Sequence, residues 1–281
     1  MKTLQELMTT AAGTQGSLLI EKKIYNTLIK AVDKHLIPRD LAAYVIGPAE
    51  IPGSSVDVDL ETADSFITTR VAEGAAIPTL EDAFTSINFR PIKYGVRPTI
   101  SREMLEDSKF NMIDVHLYRA GKEIAENETS LVVTALDGAA NTVTGGATVT
   151  LANIASAITN LENNDFTATD IVVGTEVLAD LRNIDVFTEA QKYGTSEVRE
   201  TGKIGQIWGM NVWPVSQATG LVTKTSAYVL DRGQAYAIAE KRPLTIERYE
   251  DVPFDVTGIT VTQRIDVQLL RSSAVSKITS T

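Results

Sequence analysis

Hydrophobic and polar positions alternate with a period of two between residues 54 and 90. Val56, Val58 and Leu60 share one face, Asp57, Asp59 and Glu61 the other, and Phe66, Thr68 and Arg70 continue the extended run. A turn-prone stretch, Glu73-Gly74-Ala75-Ala76-Ile77-Pro78, separates it from a second alternating segment in which Thr85, Ile87 and Phe89 share a face. Two extended segments joined by such a stretch predict a β-hairpin. Few large apolar residues back it, so it is expected to project from the body. A lone two-stranded ribbon is marginal in water and calls for a partner surface.

Elsewhere the period lengthens to three or four. Ser17 is placed to cap a helix in which Ile20, Ile24, Leu28 and Ala31 recur, ending before Pro38. Ser101 precedes a short helix, 102–107, with Glu103 in its first turn. A much longer helix is predicted from Asn111 to Asp137, stopped by Gly138 as the residue after its C-cap. Its stripe is Ile113, Leu117, Ala120, Ile124, Leu131 and Ala135, and a charged face with Arg119–Glu123 and Lys122–Glu126 pairs is expected to be solvated. Helix Leu151–Leu161, strand Ile171–Val173 and a helix capped by Thr175 and carrying Val177, Leu178, Leu181 and Ile184 form a compact α/β unit. Residues 191–205 read as an exposed loop. Strands are expected at 227–230 and 235–239, around Leu244, Ile246 and Arg248, and over 259–269, where Ile259, Val261, Ile265, Val267 and Leu269 alternate with polar residues.

Composition narrows the function. The 281 residues hold 26 Lys and Arg against 36 Asp and Glu, a net charge of −10. Residues 1–40 carry six cations and four anions, a net +2, so the other 241 residues carry −12. An acidic body argues against a surface that grips nucleic acid all over. Residues 1–16 are polar and read as a flexible arm. No apolar segment approaches the roughly 20 residues of a spanning helix, and the start lacks the apolar core of a signal peptide. A soluble protein made in a cytoplasm, with no membrane partner, is the expectation.

Catalytic chemistry is scarce. No cysteine is present and the two histidines, His35 and His116, lie far apart, which excludes disulfides, thiol nucleophiles and the usual zinc sites. Gly202-Lys203-Ile204 lacks the Ser or Thr of a phosphate-binding loop, and no dinucleotide or nucleophile-elbow motif occurs. Asp57 and Asp59 could hold a cation, but a solvated strand face explains them more simply. His116 reads as a buried or interface residue, and His35 as a helix-end dipole partner. Trp208 and Trp213 are expected to pack in the core beside the Gly209 turn. No catalytic residue, cofactor or metal is predicted, so the chain is not read as an enzyme. An enzyme built on Asp57, Asp59 and His116 is the rival from another class, and it requires a small discrete oligomer.

The order of segments and several strings resemble the major capsid proteins of tailed viruses, the Hong Kong 97 fold family, over nearly the full length. Gly16-Ser17-Leu18-Leu19-Ile20 followed by Ile37-Pro38-Arg39-Asp40-Leu41 resembles the family's N-terminal arm. Ala72-Glu73-Gly74 with Ile77-Pro78 resembles its E-loop, and residues 100–108 its lead-in to the spine helix. Ala125-Glu126-Asn127-Glu128 and Leu136-Asp137-Gly138 fall where that helix has an acidic turn and a glycine stop. Gly205-Gln206-Ile207-Trp208-Gly209-Met210-Asn211-Val212 with Pro214-Val215 resembles a turn late in the axial domain, with Asn211 in place of the usual Pro.

The resemblance implies an α+β Hong Kong 97-like capsid fold: arm and first helix over 1–40, E-loop region over 41–100, peripheral domain over 101–138 and 241–281, and axial domain over 139–240. It implies a structural subunit of hexamers and pentamers in an icosahedral shell around double-stranded DNA, bound without sequence preference. Portal, scaffolding and decoration proteins are the further partners it suggests, and the virion capsid, assembled in the host cytoplasm, is the implied location. Assembly residues implied are Glu73, Gly74, Ile77 and Pro78 at the E-loop tip and Lys22, Lys23 and Lys30 on the arm, the lysines offsetting an acidic wall near DNA. Some relatives seal their shells through Lys–Asn bonds. The E-loop tip here has no lysine, and Lys93 lies down the second strand, so no such cross-link is expected. Any scaffold is expected to be a separate protein or a segment already removed. An encapsulin-like compartment enclosing a cargo enzyme is the near alternative, and the polar residues 1–16 favour the viral reading.

Overall fold

The computed structural model describes residues 38–61, 84–101, 112–183, 205–215 and 225–280, together with residues 70, 71, 73, 76 and 103. The expected first helix, the short helix over 102–107 apart from Glu103, and the loop over 191–204 lie outside the described residues.

In chain order, a helical turn α1 (Pro38–Leu41) leads into β1 (Tyr44–Ile46), β2 (Val56–Glu61), β3 (Phe84–Phe89), β4 (Ile92–Val96) and β5 (Thr99–Ser101). The long helix α2 (Met112–Leu136) is followed by β6 (Asn141–Thr144), α3 (Leu151–Glu162), β7 (Asp170–Val173) and α4 (Thr175–Asn183). Then come β8 (Gln206–Ile207), β9 (Met210–Pro214), β10 (Ser226–Leu230), β11 (Tyr236–Asp251), β12 (Val256–Leu269) and β13 (Val275–Thr279). One sheet runs β1-β11-β12-β4, with β5 also on β12. A second runs β6-β13-β10-β7-β9-β8, and β2 with β3 forms a separate ribbon. The chain crosses between the two large sheets: β11 enters the first at Tyr236 and β13 returns to the second at Val275.

Each face of the first sheet has its own cover, and alternation on β11 decides which residue meets which. Tyr236 and Ile238 join Val132, Val133 and Leu136 of α2 in one cluster. Ala237 and Ala239 point the other way, toward Phe89, Ile46 and Ile51, with Val56, Val58 and Ile87 packed alongside. The ribbon's root is therefore seated on the body through its apolar face, with Phe89 fully buried. This corrects the expectation of a ribbon lacking apolar backing. Small alanines on β11 leave room for its valines and Phe89.

The second sheet is apolar on both faces, as a covered sheet must be. Ile171, Val173, Ala227 and Val229 pack against Ile154, Ala157 and Leu161 of α3 and Val177 and Leu181 of α4. Val172, Tyr228, Leu230 and Val275 face the C-terminal end of α2. The cluster around α2 thus belongs to both sheets.

Several elements differ from their sequence expectation. The buried stripe of α2 holds Leu117, Ala120 and Ile124, then passes through Glu128 to Val132 and Leu136, while Leu131 and Ala135 lie at its flank. A spacing of four from Ile124 lands on a glutamate, which an apolar count skips. The helix stops with Gly138 N–H on the Ala135 carbonyl at 3.0 Å and without a left-handed φ. A Cβ there would sit 3.1 Å from that carbonyl, so close approach selects the glycine. Strand β11 runs unbroken through Arg242-Pro243, which reads as a break; register shifts on either side of Arg242 absorb the proline. Lys93 lies in β4, beyond the ribbon's second strand. Short strand β13 was hidden in a polar tail, since pairing with both β10 and β6 defines it.

Candidate functional site

The most organised polar group sits where the segment leaving the arm meets the long helix. Arg39 Nε donates to Glu128 Oε1 at 2.7 Å and Nη2 to Oε2 at 3.1 Å, while Nη1 donates to Glu240 Oε2 at 2.7 Å. Pro38 and Leu41 bound this turn, and Leu41 is buried in the shared core. The Glu128 side chain is 1% exposed and that of Arg39 35%. Burial works against the Arg39 charge, but the bonds and charges of Glu128 and Glu240 outweigh it and hold the guanidinium above its ordinary value. Burial, reinforced by the Glu128 charge, raises the neighbouring Tyr236 hydroxyl as well. Arg232 adds a bond to the Asp40 carbonyl, and Ala43 N–H donates to the Tyr236 carbonyl at 2.9 Å. A forked guanidinium on a carboxylate is geometrically specific, so this clasp fixes how residues 38–46 leave the body.

A second joint lies just past the C-terminal end of α2. Tyr228 from β10 and Lys277 from β13 both donate to Asp137 Oδ1, at 2.6 and 2.7 Å. Burial first, then the Asp137 bond and charge, raise the Tyr228 hydroxyl. A third polar centre is Asp170, 1% exposed, which accepts from Trp213 Nε1 at 2.7 Å and Asn211 Nδ2 at 3.3 Å. Trp213 packs beside the shared core. Trp208 does not, contrary to expectation. It is 59% exposed at the tip of the β8–β9 hairpin, where Trp208 and Gly209 have φ of 47° and 85°. A two-residue turn of this hand matches strand twist, and it carries the tryptophan outward.

These groups anchor; none is arranged for chemistry. Among the described residues no group of three or more His, Asp or Glu could hold a metal. His116 is half-buried on α2, and Lys122 pairs with Glu126 at 3.2 Å on the same helix. Of the expected assembly residues, Glu73 is exposed in a turn. Gly74, Ile77, Pro78, Lys22, Lys23 and Lys30 lie outside the described residues. Large apolar side chains are instead exposed at extremities: Phe84 on the ribbon, Ile92 on edge strand β4, Trp208, and Phe254 in the turn joining β11 to β12. The clasp residue Glu128 was missed as a contact; its signal was an acid at i+4 from Ile124 on the apolar stripe.

A family profile described as "Phage capsid family" matches residues 16–280, and no curated protein matches. Among solved structures, one titled "Capsid structure of the Cyanophage P-SCSP1u" superposes with a TM-score of 0.69 at 13% identity, covering 88% of each chain. One titled "Asymmetric unit of bacteriophage PhiM1 mature capsid" gives 0.68 at 12% identity, covering 88% of this chain and 87% of that one. A virus-like particle from Pyrococcus furiosus gives 0.60 at 11% identity, over 92% and 98%.

Proposed function

The chain belongs to the phage capsid family, and from that premise we propose a major capsid subunit that closes its shell as hexamers and pentamers around double-stranded DNA. It is a structural capsid protein of icosahedral shells with a mixed α+β fold, and its work is contact rather than catalysis. The observation that carries the finer reading is the extent of the match: residues 16–280 take in the clasp, the ribbon, the long helix and both sheets.

In this reading residues 1–40 are the arm, 41–100 the E-loop region, 101–138 with 241–281 the peripheral domain, and 139–240 the axial domain. Glu73, Gly74, Ile77 and Pro78 at the ribbon's end touch a neighbouring subunit. Lys22, Lys23 and Lys30 lie toward DNA. Shells are assembled in the host cytoplasm, with portal, scaffolding and decoration proteins as further partners and without Lys–Asn cross-links. Electron microscopy of the purified protein tests the core of this. Closed shells with fivefold vertices and nuclease-protected double-stranded DNA are expected, and a small discrete oligomer overturns it. Neutralising the three arm lysines is expected to lower the yield of filled particles. A covalent ladder on a denaturing gel would refute the cross-link statement. The likeness to the Pyrococcus particle, over 98% of that chain, favours as second reading a compartment of the encapsulin kind, distinguished by a protein cargo in place of DNA.

A further inference from the structure

The face of the first sheet that carries the ribbon also carries a row of cations that no described residue neutralises. Register places Arg242 of β11 opposite Arg264 of β12, and Arg264 opposite Lys93 of β4. Directly opposed residues of antiparallel strands share a face. Arg264 alternates with the buried Ile265, whose side is α2's, so the row points away from the long helix. Like charges directly opposite one another destabilise a sheet. Among the described residues nothing offsets them: the side chains of Lys93 and Arg242 hold no hydrogen bond or ion pair, and that of Arg264 has the Pro91 carbonyl at 3.1 Å. Beside the row, an open cleft of about 410 Å³ is lined by Ser54, Ser55, Arg90, Pro91, Ile92 and Arg264. The carboxylate beside it, Asp266, is spent on the backbone N–H of Arg90 at 2.7 Å and on its own strand.

The complementary charge is on the ribbon. Asp57, Asp59 and Glu61 form the exposed face of β2. Asp57 is engaged by Asn88, while Asp59 and Glu61 have no partner among the described residues. The ribbon's apolar face is the one seated on the sheet, so its carboxylates point away from their own chain's cations and cannot neutralise them. Carboxylates two residues apart on a strand stand about 7 Å apart, and cations on neighbouring strands about 5 Å, a mismatch the long Arg and Lys side chains can span.

We propose that Lys93, Arg264 and Arg242 receive the Asp59–Glu61 face of the ribbon of a second copy of this chain. The proposal rests on the shell-forming reading above and adds to it the chemistry of one subunit contact. A repulsion tolerated within the subunit is relieved when the copies meet, which makes the contact sensitive to salt.

The test is a complementation between two reversed variants, Lys93→Glu/Arg242→Glu and Asp59→Lys/Glu61→Lys. Each alone is expected to lower the yield of shells about tenfold, since like charges then meet across the contact. Mixing them is expected to restore most of the lost yield, because an alternating arrangement pairs every row with its opposite in a ring of six and all but one in a ring of five. As a folding control, Lys93→Gln/Arg242→Gln is expected to raise the melting temperature of dissociated subunits by about 1–3 °C. Wild-type yield from either reversed variant overturns the proposal. Failure of the mixture to assemble, with both variants folded, shows that the acidic face is not the occupant. Normal shell yield with fewer DNA-filled particles assigns the row to nucleic acid and overturns it too. Absence of shells from the wild type refutes the shell-forming reading instead.

Discussion

The two sheets handle their polar groups differently. In the six-stranded sheet the buried acid, Asp170, has its partners within the lobe, Trp213 and Asn211, and both faces are covered by α3, α4 and the end of α2. In the five-stranded sheet the half near Tyr236 is equally complete, with Arg39 held by Glu128 and Glu240. The far half leaves Phe254 77% exposed and a cation row without counter-charge among the described residues. The six-stranded sheet is built to be stable as it stands; the five-stranded sheet is stable at its root and unfinished toward its tip. In the proposed subunit contact that difference is functional, because the surface a subunit leaves uncompensated is the surface a second copy would complete.

The sharpest way to break the comparison is in the lobe. Leu161→Ala removes a fully buried side chain and is expected to cost about 3–5 kcal/mol in urea unfolding of dissociated subunits. A loss under about 1 kcal/mol would mean the lobe is not self-sufficient. At the root, Glu128→Ala leaves the partly buried Arg39 guanidinium with Glu240 alone. About 2–4 kcal/mol is expected, below the full cost of a broken buried pair because Arg39 keeps some water contact. Replacing all three members, Arg39→Met with Glu128→Leu and Glu240→Leu, should recover most of it, since no buried charge is then left without its partner. Toward the tip, Gly258→Ala would place a Cβ 2.6 Å from the Pro98 carbonyl and the Tyr249 hydroxyl. About 1–3 kcal/mol is expected from the forced shift, read from the same denaturant curves.

The joint between the sheets can be read by pH. Tyr228 and Tyr236 have hydroxyls raised above their ordinary value of 10.0 in the fold. Groups raised on folding contribute stability that is whole below the unfolded value and is lost as pH climbs through the folded one. Subunits should therefore weaken above about pH 10, and Tyr228→Phe should flatten that alkaline limb while costing about 1 kcal/mol at neutrality for the lost Asp137 bond. An unchanged alkaline slope would remove Tyr228 from the account. The smallest effect has the opposite sign. Trp208→Asn places at φ 47° a residue that tolerates the left-handed region. A gain of about 0.5–1 kcal/mol is expected in thermal unfolding of subunits; a loss would show that the exposed tryptophan is packed in the subunit after all.

Much of this was legible in the chain. The period of two over 56–60 and 85–89 gave the ribbon, and the turn-free amphipathic run gave a 25-residue helix almost to its ends. The runs Ile171–Val173 and Leu151–Leu161 gave the lobe's strand and helix. What was lost went to partners remote in sequence, except at Trp208, where a local turn decided. Glu128 looked like a solvent residue because its cation lies 89 residues away. Ribbon strands with modest apolar content looked unsupported because their platform is Ala237 and Ala239. The two tryptophans looked alike until one met Asp170 and the other a turn of positive φ.

The sequence alone determined which segments are extended, which are helical and which chemistries are absent, since periodicity, capping and the lack of cysteine act within a few residues or over the composition as a whole. Only the tertiary structure decided which charges are paired. Coulombic and hydrogen-bond partners are chosen by distances of a few ångströms in space, and strand register sets those distances. Register brought Arg242, Arg264 and Lys93 into one row from three separate stretches of chain, and the seating of the ribbon's apolar face turned Asp59 and Glu61 away from it.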